Sequence, residues 1–272
     1  MKTTKLISAI LLATAMIFSF NACEDNDNDN NGGGDFISNR SEKLIKTVSG
    51  DYRHYEYFYS DKKLVEIKDY QGYSIATLTY SGDSVFIDGY FTNNYYDTRW
   101  RLNDRGYVQS GKSAERFQGF YDPSFGSFYC DCFCFYDIKY NSSGNLLEQT
   151  ESWRFNENDL EDITSNTVIA TNKNGNRMEC KGEYDYSYTY TYSKYKNKSC
   201  LDFRYESIDL YISASGLFGK APKNLPATIT KHGWDNSSTT SFSYEFDEEG
   251  YVTEITVTDP SGNIQSYYIT YY

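Results

Sequence analysis

Residues 244–255 read YEFDEEGYVTEI, and looser copies of the phrase recur at 57–67 (YFYSDKKLVEI), 100–108 (WRLNDRGYV) and 138–149 (IKYNSSGNLLEQ). In the parent copy, Asp247-Glu248-Glu249-Gly250 lies between two alternating runs. An Asp side chain can accept backbone N–H groups ahead of it, and Gly takes up positive φ at little cost. The phrase therefore predicts strand, type I turn, strand. Asn103-Asp104-Arg105-Gly106, Asn141-Ser142-Ser143-Gly144 and Asn172-Lys173-Asn174-Gly175 repeat the chemistry. The spacing between copies is irregular, so the pattern predicts a meander of hairpins with insertions rather than a strict solenoid.

The flanking runs keep a period of two. Tyr55, Tyr57 and Tyr59 share one face, as do Tyr184, Tyr186, Tyr188, Tyr190 and Tyr192, and Phe242, Tyr244 and Phe246. Strict alternation predicts strands with one face packed and one wet. The chain has 29 Tyr, 17 Phe and only 4 Pro, a composition suited to pleated surfaces. The expected fold is all-β: one antiparallel domain over 40–272, curled into a rolled sheet or open barrel. One stretch departs from this: in 207–231, Ile208, Tyr211 and Ile212 stand at helical spacing ahead of Gly216, Gly219, Pro222 and Pro226. A short helix near 207–217 and a strand near 226–232 are expected.

The first residues read as an address. Lys2 and Lys5 precede an apolar run from Leu6 to Phe20, ending in FNAC. Residues 1–22 have the order of a secretory signal and are too short to span a bilayer. The ending resembles a bacterial lipobox, which would make Cys23 the acylated N-terminus of the mature chain, carrying palmitate or a similar chain; the plainer alternative is an ordinary signal cut near Ala22. Residues 23–39 then form the acylated Cys and an acidic leash, EDNDNDNNGGGD at its start, similar to the stretch after the lipidated Cys in surface-exported lipoproteins of Bacteroides-type bacteria. Asp25, Asp27 and Asp29 alternate as in a calcium loop, but Asn30 and Phe36 stand where that loop needs Gly and a carboxylate.

Together with the Tyr-rich hairpins, GLFGKAPKNLPATIT (216–230) and the closing YEFDEEGYVTEIT resemble a family of Bacteroides-type secreted lipoproteins of unknown function with a porin-like fold. The resemblance covers about 40–272. It implies a large curling antiparallel sheet and no assigned chemistry; the lipobox and acidic stretch imply an outer-membrane location through the lipid at Cys23, at the cell surface or otherwise facing the periplasm. A membrane-spanning wall must be free of charge at mid-height. Residues 62–69 put Glu66 and Lys68 on one face and Lys63 and Asp69 on the other, and mean hydropathy is −0.68. A tethered body outside the bilayer is the expectation.

The formal charge of −12 disfavours nucleic acid, and equally disfavours docking on an anionic membrane through a basic patch. Cys130, Cys132 and Cys134 share one strand face. Core packing, or a disulfide to Cys180 or Cys200, suits that spacing better than a zinc or copper(I) site, whose thiolates converge on turns. Neither His54 nor His232 sits in a catalytic motif. No enzyme activity, cofactor or metal is expected. Trp100, Trp153 and Trp234 are candidate stacking platforms for a glycan or other extracellular ligand, set against the plainer reading that aromatics fill a thin core with tyrosine hydroxyls reaching water. A structural or protein-interaction module is the competing functional class. Ser84 in Asp83-Ser84-Val85 resembles an O-glycosylation site of Bacteroides-type proteins.

Overall fold

The structure is a computed structural model that describes residues 41–50, 53–89, 95–118, 129–154, 164–182, 186–204, 207–208, 210–233 and 236–272. The expected signal and leash, Trp234, and the side chains of Cys130 and Cys132 lie outside the described set.

The chain opens with β1 (Ile45–Gly50), β2 (Arg53–Ser60), β3 (Lys63–Asp69), β4 (Ser74–Ser81), β5 (Ser84–Gly89) and β6 (Tyr95–Leu102). It continues with β7 (Val108–Gln118), β8 (Tyr129–Tyr140), β9 (Leu146–Arg154), β10 (Thr164–Lys173), β11 (Asn176–Lys181) and β12 (Ser187–Lys196). An insert follows, holding β13 (Phe203–Arg204), β14 (Ser207–Ile208) and α1 (Leu210–Ser215). The wall resumes with β15 (Asn224–His232), β16 (Ser237–Phe246), β17 (Val252–Thr258) and β18 (Ile264–Tyr271). Sequential antiparallel pairing runs through the sixteen wall strands, and β18 then pairs with β1, Val48 opposite Ile269. The expected rolled sheet is therefore a closed barrel, with no edge left to pair with another chain. The expected helix is confined to Leu210–Ser215; Ile208 pairs with Phe203 in the small β13–β14 ladder instead.

Two ends follow from the meander. One carries the β2–β3, β4–β5, β6–β7, β8–β9, β10–β11 and β16–β17 turns, the insert, and both the start of β1 and the end of β18. The other carries the remaining connections. At the first end the repeated phrase acts as the sequence implies. Gly106, Gly144 and Gly250 have positive φ, and Asp247 Oδ1 accepts the N–H groups of Glu249 (3.0 Å) and Tyr251 (2.8 Å). Asn103 does the same for Arg105 and Tyr107. The 172–175 copy differs: Lys173 still belongs to β10, and Asn174 and Gly175, both at positive φ, form a two-residue turn.

The tyrosines explain why the phrase is repeated. Beside these turns the ladder carries a bulge, as at Lys139/Tyr140 and Glu245/Phe246. A bulge leaves a carbonyl out of register, and at several of these strand starts a tyrosine from the next strand meets that carbonyl; beside the β8–β9 turn Asn172 does so instead, donating to Leu146 O (2.7 Å). Tyr80 donates to Leu64 O (3.0 Å), Tyr140 to Val108 O (2.8 Å), Tyr192 to Arg177 O (2.7 Å), Tyr244 to Pro226 O (2.7 Å) and Tyr271 to Val252 O (2.8 Å). These hydroxyls satisfy backbone carbonyls rather than reaching water, which corrects the sequence expectation.

The inward face forms the core, including Tyr57, Leu64, Ile67, Val85, Leu225, Ile229 and Ile255. The outward face is polar. Threonines pair across strands, as in Thr191–Thr228 (2.7 Å) and Thr230–Thr239 (2.9 Å), and Lys139 meets Glu148 at 2.6 Å. Arg99, Arg101, Asp137 and Glu245 are exposed there. Charge of this kind is costly against hydrocarbon where it falls at mid-height of a spanning wall.

The turn carboxylates make stability depend on acid. Burial pushes the Asp247 carboxyl up, but the Tyr251 N–H and the Lys43 ammonium outweigh it and hold it below the usual range. Arg101 lowers Asp83, and the Asn263 side chain lowers Asp259. A depressed folded pKa stabilises above the unfolded value, about 3.9, and the benefit is lost as pH falls through the folded value. Unfolding free energy should thus hold down to about pH 5 and decline below about pH 4. Asp247→Asn, which keeps the acceptor that Asn103 uses in its own turn, should flatten that decline. An unchanged pH slope would refute the assignment.

Candidate functional site

The insert between β12 and β15 crosses the interior at the end where β1 begins. Leu201 and Phe203 are fully buried. Phe203 packs on Phe242 of β16 (5.4 Å), Phe218 on Trp100 of β6 (4.8 Å), and α1 touches β3. Asn197 ties the two roots of the insert together, donating to Leu201 O (2.7 Å) and Pro222 O (2.9 Å). Backbone bonds from Val108 N–H to Leu217 O, Lys220 N–H to Gly144 O and Lys223 N–H to Gly175 O dock it on three turns. At Gly219, φ is +83° and a Cβ would lie 2.5 Å from the Tyr140 ring, so only glycine fits there. The insert is a plug.

A buried charge cluster joins plug to wall. Asp202 accepts from Arg204 Nε (2.8 Å) and Arg177 Nη2 (3.3 Å). Arg177 Nη1 also donates to Phe203 O (2.7 Å), and Arg204 Nη2 to Phe218 O (3.1 Å). Arg204 Nη1 donates to Gln149 Oε1 (3.0 Å), whose Nε2 donates to Glu151 Oε1 (2.7 Å). Burial opposes ionisation of Asp202, yet Arg177 and Arg204 outweigh it and hold the carboxyl low. Farther along β9, burial pushes the Glu151 carboxyl up, with Gln149 and Arg204 opposing.

Beyond the plug the inner wall changes character. Glu151 stands opposite Tyr136 on β8 and Asn166 on β10, and Trp153 opposite the buried Cys134. Ser113 donates to the Tyr136 hydroxyl (3.3 Å). Tyr136, Glu151, Trp153 and Asn166 face inward but are only half-buried, in contrast to the core beside them. Asn166 Oδ1 is buried with no hydrogen-bond partner among the described residues. This group offers an aromatic face, a carboxyl and an unsatisfied acceptor on the side away from the plug.

The three tryptophans separate. Trp100 is 5% exposed and packed on the plug, so it is a core residue and offers no platform; this corrects the expectation. Trp153 is half-buried, and Trp234 is outside the described residues. Cys134 and Cys180 are buried thiols and Cys200 a half-buried one, so no disulfide joins them, and among the described residues no cluster of three or more metal-ligating side chains forms. Ser84 is 8% exposed and donates to Asp83 (3.1 Å), a poor position for a glycan. His232 lies between Thr189 (2.9 Å) and Ser237 (3.1 Å) and pairs with no carboxylate among the described residues. Sequence reasoning missed the Arg177–Asp202–Arg204 cluster and the pairing of Glu151 with Asn166, because neither is local in the chain.

No protein-family model matches the chain, and no curated protein matches it. Solved structures do. A porin-like protein from Bacteroides uniformis is 15% identical, with 85% of this chain and 95% of that one covered and a TM-score of 0.52. A porin-like protein from Bacteroides vulgatus is 11% identical, with 84% and 99% covered and a TM-score of 0.57. At these identities the likeness is one of fold: a porin-like barrel.

Proposed function

We propose that the protein is a lipoprotein anchored to the outer membrane through an acyl group on Cys23, its barrel standing outside the bilayer and binding an extracellular ligand at the unplugged end. The observation that carries this reading is the polarity of the barrel. β1 begins at the plugged end, so a leash from Cys23 arrives there, and the half-buried Trp153–Glu151–Asn166 face lies toward the opposite, outward end. A glycan suits such a face. A sugar ring can stack on the indole, and its hydroxyls can donate to Glu151 and to the unpartnered Asn166 Oδ1.

A glycan panel followed by tryptophan-fluorescence titration tests the site. Trp153→Ala should weaken binding of any hit by about tenfold or more, while Trp100→Phe leaves it unchanged. Binding that survives Trp153→Ala, or no binding anywhere on the panel, refutes the glycan reading. Mass spectrometry of the mature N-terminus tests the anchor separately. The second reading, a protein-interaction module, is favoured by one observation: Leu147, Ile169 and Met178 are exposed on the neighbouring strands β9, β10 and β11.

A further inference from the structure

We propose that the plugged end of the barrel is a docking face for an anionic phospholipid surface. Arg105 of the β6–β7 turn, Lys173 at the end of β10, Lys194 and Lys196 at the end of β12, and Lys198 and Lys223 of the insert gather there. Their placement is fixed by the docking of the plug. Arg105 Nη1 donates to Asn141 O (3.3 Å) in the next turn, Lys223 N–H to Gly175 O (2.9 Å) beside Lys173, and Asn197 N–H to Lys223 O (3.0 Å). Lys198 Nζ reaches Glu249 O (3.0 Å) at the near side of the β16–β17 turn. Five of the six side chains are exposed and Lys198 is half-buried.

Little opposes this charge. Among the described residues of these turns and the insert, the carboxylates are Asp104 and the buried Asp202, which is engaged by Arg177 and Arg204. Glu206 and Asp209 lie outside the described residues. The neighbouring β16–β17 turn is acidic: Lys43 bonds Asp247 (3.3 Å) and Glu249 (2.6 Å), Glu248 is exposed, and farther round the same end Glu42, Asp61 and Asp83 are exposed, Asp83 paired with Arg101 (2.9 Å), so the basic residues form one sector of the end. The chain total of −12 is a sum over the whole barrel and is compatible with a basic sector at one end. Between Lys194 and Lys196, Tyr195 is 44% exposed with its ring against Phe246 (4.9 Å). Lysines flanking an exposed tyrosine suit the headgroup layer.

A bilayer is favoured over other polyanions because β1 starts at this end, where Tyr272 N–H bonds Leu44 O. The geometry thus rests partly on the proposed anchor at Cys23: a leash over residues 24–40 spans at most about 60 Å, and one acyl chain holds a membrane only marginally without a second signal. The face itself is testable without the acyl group. All the barrel strands and the core lie within residues 45–271, so a chain from residue 23 bearing Cys23→Ser keeps the whole fold.

That chain should co-float with vesicles of phosphatidylglycerol and phosphatidylcholine, not with phosphatidylcholine alone, and added salt should release it. Lys173→Glu, Lys194→Glu, Lys196→Glu and Lys223→Glu together should lower partitioning by about a hundredfold or more, with circular dichroism unchanged; Lys181→Glu, exposed where β11 reaches the opposite end of the barrel, should have little effect. Equal binding to both vesicles, no binding to either, or full retention by the quadruple variant overturns the proposal. Binding to heparin but not to vesicles overturns it in favour of a soluble polyanion. None of these results depends on acylation or on a ligand at Trp153, so failure here is distinct from failure of the proposed function.

Discussion

Asp202→Ala should destabilise the barrel by roughly 3–5 kcal/mol, the cost of breaking a buried ion pair from one side. The carboxylate sits between two guanidinium groups, with the three side chains 4–8% exposed. Removing it leaves Arg177 and Arg204 facing each other in the interior with no countercharge between them. Denaturant unfolding measures the loss. Asp202→Asn keeps acceptor capacity but not charge, so it should fall between wild type and alanine. Replacing the three residues together by Met, Leu and Met should cost far less than the single alanine, because a filled apolar interior needs no ion pair. A loss under about 1 kcal/mol for the alanine variant would mean that water reaches the cluster, since solvated pairs are worth that little.

The second large effect is expected at Trp100. Its ring meets Phe218 edge-on, and a Cβ on Gly111 of the adjoining strand would lie only 2.6 Å from its Cδ1. Neighbouring backbone has been cleared of a side chain to admit the indole. Trp100→Ala should cost about 3–5 kcal/mol, as large-to-small changes at buried aromatics do. It should also loosen the plug, seen as faster amide exchange at Val108 and Lys220, whose N–H groups bond Leu217 O and Gly144 O and hold the insert to the β6–β7 and β8–β9 turns. A stability change near zero would show that the indole is not part of the core.

These two residues mark where the sequence could be read and where it could not. Trp100 stands in RWRL and Trp153 in SWRF, near-identical surroundings on alternating strands. What separates them is height in the barrel. β6 runs toward the plug and ends two residues after Trp100, whereas β9 runs away from it and ends one residue after Trp153. Height depends on strand direction and on where the insert folds, and no local pattern encodes either. The hairpins were legible because alternation and turn chemistry act within a dozen residues. Even so, Asp69-Tyr70-Gln71-Gly72 and Asp259-Pro260-Ser261-Gly262 build the same turn, with Asp69 Oδ1 accepting from Gln71 and Tyr73 and Asp259 Oδ1 from Ser261 and Asn263, and were passed over. The plug was read as helix and loop because its polar residues find partners on strands far away in sequence. Arg204 bonding Gln149 is such a case. Charge has a related limit: a sum over the chain does not show how charge is distributed between the two ends of a barrel.

The pairing of β18 with β1 has a consequence for how the molecule forms. Each other seam joins strands close in the chain, so hairpins can assemble in the order in which they emerge. The last seam joins Ile45 to Tyr271 and Val48 to Ile269, and Tyr272 reaches back to bond Tyr57 O (2.8 Å). Closing a loop of that length carries an entropic penalty that no earlier contact repays, and non-local pairing of this kind folds slowly. Until the final strand arrives, β1 and β17 present two unpaired edges, each a template for another chain. The interval between release of the chain and arrival of its C-terminal strand is therefore the aggregation-prone phase of its life.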